Sequence, residues 1–120
     1  MQLTTYQLAI TLAVPARVAV GRLGAFEFPA GRYVYTGSAR RNLEARIARH
    51  LRKEKTLRWH IDYLLAVPQA HVTCVERSAQ LECALNQATA GTVLIPGFGA
   101  SDCRAGCGSH LKFLGELAHG

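Results

Sequence analysis

Apolar and polar residues alternate through the first third of the chain. "TYQLAITLAV", ending at Pro15, is rich in aliphatic and β-branched residues and reads as a strand. "RVAVGRLGAFEF" holds two short alternating runs around "GRLG", the pattern of a hairpin. After the turn "PAG", "RYVYTG" predicts a further strand. The period then changes. Leu43, Ile47 and Leu51 recur every four residues behind Asn42, an expected N-cap, so a helix follows with those three facing the core. "WHIDYLLA", before Pro68, predicts a short second helix, and "AHVTCVE" another strand. In "SAQLECALNQATAG" a Ser stands at an expected N-cap and Gly91 lies past the end, which bounds a third helix. "PGFGASDCRAGCGSH" has no period and reads as a glycine-rich loop, while "HLKFLGELA" fits a short helix or an extended segment. The order of elements predicts an α+β fold: a small, mainly antiparallel sheet flanked by helices. A hairpin falls between the segments carrying Tyr6 and Tyr35, and residues 1–120 read as one domain.

Composition leaves that picture unchanged, with 49% hydrophobic residues, ordinary for a globular chain. No apolar run is long enough to span a bilayer, and "MQLTTYQLAI" lacks the basic start of a secretory signal, so a soluble, cytoplasmic protein with no membrane partner is expected. Charge changes the picture more. The net charge is +6, and the segment from Arg40 to Arg58 alone accounts for it, with eight cations against Glu44 and Glu54. A solvated helix face normally interleaves acids with bases. A stripe of nearly one sign, mostly Arg, suits phosphate oxygens and points to nucleic acid.

The segment "YVYTGSARRNLEARIARH" concentrates the chemistry. The strand carrying Tyr35 feeds into the cationic helix, so Tyr35 is expected beside Arg46, and a paired strand would bring Tyr6 to the same end of the sheet. Arg46 and His50 stand one turn apart on the helix. Tyr33 alternates with Tyr35 through Val34 and is read as core.

These residues resemble a known family. "TTYQLAI", "YVYTGSA", the helix bearing Arg46 and His50, and a later glutamate are similar to the GIY-YIG endonuclease superfamily. "WHIDYL", "LEC", "PGFGASDC" and "SHL" add similarity to its small, stand-alone Uri-type branch, over nearly the whole chain. The resemblance implies a GIY-YIG-like fold and a divalent-metal-dependent DNA endonuclease acting in DNA repair, with Mg²⁺ or Mn²⁺ and no organic cofactor. It implies Tyr6, Tyr35, Arg46, His50, His60 and Glu82 as catalytic residues, with Glu82 as the metal ligand. Gly37, Ser38, Arg40, Arg41, Arg49 and Lys53 are the expected nucleic-acid contacts. Two departures stand out: Thr4 and Thr5 replace the first motif's glycine, and the hairpin separates the tyrosine motifs more widely than is typical.

Physical chemistry allows those roles. One carboxylate holds Mg²⁺ if water and substrate complete its shell. Arg46 would neutralise charge developing on phosphate. Arg46 and the metal would lower the pKa of Tyr6 and make it the general base, with Tyr35 orienting water or phosphate. Glu82 is favoured over Glu76, which precedes Arg77 at a strand end. Without a separate DNA-reading module, selectivity for DNA structure or for single strands is expected rather than for sequence.

Four cysteines remain. Cys74 and Cys83 lie in apolar patterns and are expected in the core. Cys103, Cys107 and His110 have zinc-ligand spacing, but a fourth ligand is not evident. A loop packed beside the site through Asp102, Ser109 and His110 is the favoured reading, and a Cys103–Cys107 disulfide a third. Two other functions compete with the nuclease. One is a non-catalytic nucleic-acid-binding module using the Arg40–Arg58 stripe. The other is a protein-interaction domain built on a metal-bound cysteine loop.

Overall fold

A computed structural model describes residues 2–100, 103 and 105–117. Four strands form one antiparallel sheet: β1 (Thr5–Leu12), β4 (Gly31–Ser38), β5 (Ala70–Ser78) and β6 (Leu111–Gly115), in the order β5-β1-β4-β6. β2 (Ala16–Val20) and β3 (Gly24–Phe28) form a separate two-stranded hairpin, joined by a 3-10 turn over Gly21–Leu23. Among the described residues three helices flank the sheet: α1 (Leu43–Leu51), α2 (His60–Leu65) and α3 (Glu82–Ala88). The chain is thus α+β, with an antiparallel sheet flanked by helices. No helix among the described residues is long and apolar enough to cross a membrane.

Alternation sorts the sheet's two faces. Tyr6, Leu8, Ile10 and Leu12 of β1 are all buried on one face, and the register sets Tyr6 opposite Gly37 and Leu8 opposite Tyr35. Ile47 of α1, Ile61, Leu64 and Leu65 of α2, and Phe28 of the hairpin join the same core. Gln7 and Lys112 point the other way, towards α3. Gln7 Nε2 donates to Thr89 Oγ1, and Lys112 Nζ donates to the carbonyls of Asn86 and Thr89 at the helix C-terminus. Tyr6 and Tyr35 therefore sit at one end of the sheet, between α1 and the N-terminus of α3.

Several expectations are corrected here. Leu51 is exposed: it is the last residue of α1, at the helix end. Asn42 occupies the N-cap position in a left-handed conformation, and its side chain makes no cap hydrogen bond. Ser78 ends β5, and Leu81 stands at the N-cap of α3. The segment from Leu111 takes the extended one of its two expected forms, as a strand. Cys74 is exposed on β5, an edge strand, and Cys83 is half-buried. Tyr33 is core, as expected, and its hydroxyl donates to the Pro29 carbonyl.

Candidate functional site

At the Tyr6 end of the sheet lies a cleft of about 390 Å³. Tyr6 and Tyr35 come from the two central strands, Arg46 from α1, His60 from α2, and Glu82 from the first position of α3. Ser38, Arg58, Trp59, Cys83, Gly99, Cys103 and His110 complete the lining. Residues more than seventy positions apart thus share one wall, because β1 and β4 pair at the centre of the sheet and α3 crosses over their ends.

Gly37 makes the tyrosine arrangement possible. A Cβ at this position would lie 2.5 Å from the Tyr6 hydroxyl and 3.0 Å from the Tyr35 ring. Its role is close packing, and it presents no side chain to a nucleic acid. Gly37→Ala is expected to push Tyr6 off its partner and to destabilise the fold by about 1–3 kcal/mol. Urea denaturation of the variant beside the parent measures this.

The partner of Tyr6 is His50, buried on the inner face of α1. The Tyr6 hydroxyl lies 2.6 Å from His50 Nε2. His50 Nδ1 faces the Asp62 carboxylate at 3.9 Å and has no hydrogen-bond partner among the described residues. The field of Asp62 favours the tautomer with the proton on Nδ1, leaving Nε2 to accept from Tyr6. Burial, aided by nearby Lys55, pulls the His50 pKa down to about 4, so the imidazole is neutral at physiological pH. Burial also raises the pKa of Tyr6 above the ordinary phenol range, and Arg46 offsets this only in part. Arg46 alone therefore does not make Tyr6 acidic, and the Tyr6 hydroxyl is directed at His50. The Tyr35 phenol is raised too, by burial first and then by Tyr6 and Glu82 nearby.

Arg46 Nη1 donates to the Ser38 carbonyl at 3.1 Å, and its guanidinium stacks on Trp59 with Cζ 4.4 Å from the ring centroid. Arg49 and Arg58 also stand over Trp59, at 4.4 and 5.2 Å. Glu82 is clamped through both oxygens. Ser38 Oγ donates to Oε1 at 2.6 Å, and His110 Nδ1 lies 2.8 Å from Oε2. Burial works against the Glu82 charge, but His110, Ser38 and Arg46 outweigh it and keep the carboxylate ionised. Glu76 lies on β5 opposite Gln7, exposed and away from the cleft. His60 Nδ1 accepts the Gly99 amide at 2.8 Å, which ties α2 to the glycine-rich loop.

The cationic stripe divides in two. Arg40 and Arg41 are exposed. Arg49 instead donates to both oxygens of buried Asp62, each at 3.0 Å, and Lys53 Nζ donates to the carbonyls of Leu65, Val67 and Ala70. Lys55 bonds the carbonyls of Arg49 and His50 at the end of α1. Arg49 and Lys53, both expected as nucleic-acid contacts, thus spend these hydrogen bonds on the protein. Asp62 itself, invisible as a site residue in the sequence, also accepts the amides of Arg58 and Trp59.

Beside Glu82, Cys83, Cys103, Cys107 and His110 bring one ligand atom each to within 4.8 Å of one another, a group able to hold a metal. His110 and the nearby amides of Cys107 and Ala105 pull the Cys103 thiol below the usual range, while Cys103 pushes Cys83 up. Ser109 is buried, and His110 N donates to the Phe98 carbonyl. Asp102 lies outside the described residues.

Fold and cleft together define an α+β domain with a buried phenol–imidazole pair, a cation and a fixed carboxylate at one end of an antiparallel sheet. The model of the family described as "Domain of unknown function DUF123" matches residues 5–119, and the chain belongs to that family. No curated protein and no solved structure matches the chain.

Proposed function

We propose that the chain is a divalent-metal-dependent DNA endonuclease of GIY-YIG type, with the β2–β3 hairpin inserted between its two tyrosine motifs, and that the cleft is its active site. The observation that carries this reading is the convergence of the Tyr6–His50 pair, Arg46 and Glu82 on one cleft. Hydrolysis of a phosphodiester needs a proton acceptor for water, a cation at the phosphate and support for the leaving oxygen. The attacking water gives its proton to the Tyr6 oxygen as Tyr6 passes its own to His50 Nε2. The Asp62 carboxylate offsets part of the burial that disfavours the resulting imidazolium. Arg46 meets the charge that develops on the non-bridging oxygens as the water oxygen bonds to phosphorus and the P–O bond to the leaving strand breaks. Tyr35, on the cleft wall, orients water or phosphate.

Glu82 fits a single-carboxylate Mg²⁺ or Mn²⁺ site. Each of its oxygens accepts one hydrogen bond and keeps a further lone pair, and hard cations are commonly held by one carboxylate plus substrate phosphate. Such an ion supplies Lewis acidity and stabilises the leaving oxygen. Exposed Arg40, Arg41 and Arg58 extend the cationic surface to the flanking backbone. A cleft of about 390 Å³ offers little surface for reading bases, which favours recognition of DNA structure or single strands over sequence.

The test is cleavage of end-labelled single-stranded, duplex, nicked and branched DNA, with Mg²⁺ or Mn²⁺ supplied or omitted. Cutting that requires the added ion and disappears in Glu82→Gln is the expected result. A Glu82→Lys variant separates the two nucleic-acid readings: it abolishes cutting by a nuclease but strengthens a passive binder. Tighter, salt-sensitive binding by Glu82→Lys, with no cutting by the parent protein under any condition, would replace the nuclease with a binding module.

A further inference from the structure

We propose that Cys83, Cys103, Cys107 and His110 form a closed, four-coordinate zinc site that pins the glycine-rich loop to the N-terminus of α3. The ligand atoms come from three separate places: the first turn of α3, the loop, and the residue preceding β6. An ideal tetrahedron with Zn–S bonds of about 2.3 Å sets sulfurs about 3.8 Å apart. The Cys83 and Cys103 sulfurs stand 3.4 Å apart, and Cys83 Sγ is 4.0 Å from His110 Nε2. These spacings bracket the tetrahedral edge and are far from a bonded disulfide at about 2.05 Å. Cys103 and Cys107 are separated by three residues, within the range for paired ligands on one knuckle.

Three sulfurs and one imidazole suit a borderline-soft ion and reject Mg²⁺ or Ca²⁺, which require oxygen donors. A single point within reach of all four atoms suits one ion, whereas an iron–sulfur cluster spreads its ligands over several iron atoms. On binding, each cysteine Sγ and His110 Nε2 gives up whatever proton it carries to solvent, so that His110 binds as the neutral ring. The other face of that ring is already arranged. His110 Nδ1 lies 2.8 Å from Glu82 Oε2 and 3.1 Å from the Thr36 carbonyl, so its proton is directed to acceptors while Nε2 faces the sulfurs. A carboxylate behind a ligating histidine is the usual outer support of a zinc site. Glu82 is thereby positioned by the zinc site on one side while facing the cleft on the other. The site has four protein ligands and no open position, so its role is structural.

Zinc binding stands or falls independently of the nuclease reading, because its readouts are metal content and spectroscopy. The chain is purified under thiol reductant without chelator, and zinc is measured by elemental analysis for the parent and for Cys103→Ser, Cys107→Ser and Cys74→Ser. About one zinc per chain is expected in the parent and in Cys74→Ser, falling about tenfold or more in the other two. Replacement of zinc by Co²⁺ in the parent should give the intense visible bands of tetrahedral cobalt with thiolate charge transfer. A folded, reduced parent protein that holds no zinc and gives no such cobalt spectrum overturns the site. So does zinc that survives loss of both Cys103 and Cys107, or zinc lost equally in Cys74→Ser.

Discussion

Arg46→Ala should lower the rate of DNA cleavage by about 10²–10³-fold, the usual cost of removing one preorganised charge donor from a transition state. In a native cleft the guanidinium has little freedom: Trp59 supports its face and the Ser38 carbonyl holds one of its nitrogens. It therefore needs no reorganisation as charge accumulates on phosphate. Arg46→Lys should recover little, because an ammonium neither stacks flat on indole nor presents a planar fork. The fold should survive either change, since half-exposed Arg46 contributes one neutral acceptor contact and one stacking contact, about 1–2 kcal/mol together. Single-turnover cleavage at saturating DNA isolates the loss from weaker binding. A rate within threefold of the parent's would remove Arg46 from the mechanism.

The largest effect on stability is expected at Asp62. This carboxylate is fully buried and accepts from Arg49 twice and from two backbone amides. Asp62→Ala strands the Arg49 guanidinium and both amides, and should cost about 3–5 kcal/mol in a urea melt. Burial alone would raise the Asp62 pKa, but Arg49 and the amides of Trp59 and Arg58 overcome it and hold the carboxyl below the usual range. Its contribution is present above the unfolded-state pKa and fades as pH falls through the folded one. His50 adds an earlier acid limb. Its pKa rises from about 4 in the folded chain to about 6.5 on unfolding, so acid favours the unfolded state throughout that window. The parent should therefore lose on the order of 3 kcal/mol between pH 7 and pH 4, and a His50→Asn variant should show a flatter profile over the same range. A flat parent profile would show that His50 titrates alike in both states.

The sheet was legible in the sequence because β1 and β4 alternate cleanly, and Tyr6, Tyr35 and Arg46 are brought together as that pattern implies. "HLKFLGELA" was ambiguous because its apolar residues fit either period, and only pairing with β4 selects the strand. The cationic stripe was legible as charge but not as partners. Nothing in the letters says that Lys53 reaches three carbonyls beyond α2, or that Arg49 meets Asp62. Cys83 was hidden as a fourth zinc-type ligand for a similar reason. It lies twenty residues before Cys103, inside a helical apolar pattern that describes a core position equally well. Position in space, set by α3 folding over the sheet's end, supplies what spacing in the chain does not.

The pairing of β4 with β6 carries a consequence for the order in which the molecule matures. Tyr6, Tyr35 and Arg46 leave the ribosome early, but their sheet is completed by residues from Ala70 onward and finally by Leu111–Gly115. Long-range strand pairings of this kind form late, after the loop-closure cost between distant segments has been met. Glu82 acquires its second anchor only when His110 arrives. A nascent chain can thus display the whole cationic helix while its cleft is still unbuilt. Under the proposed nuclease reading, the cationic surface is therefore laid down before the cleft, and the site is complete only once β6 has paired with β4.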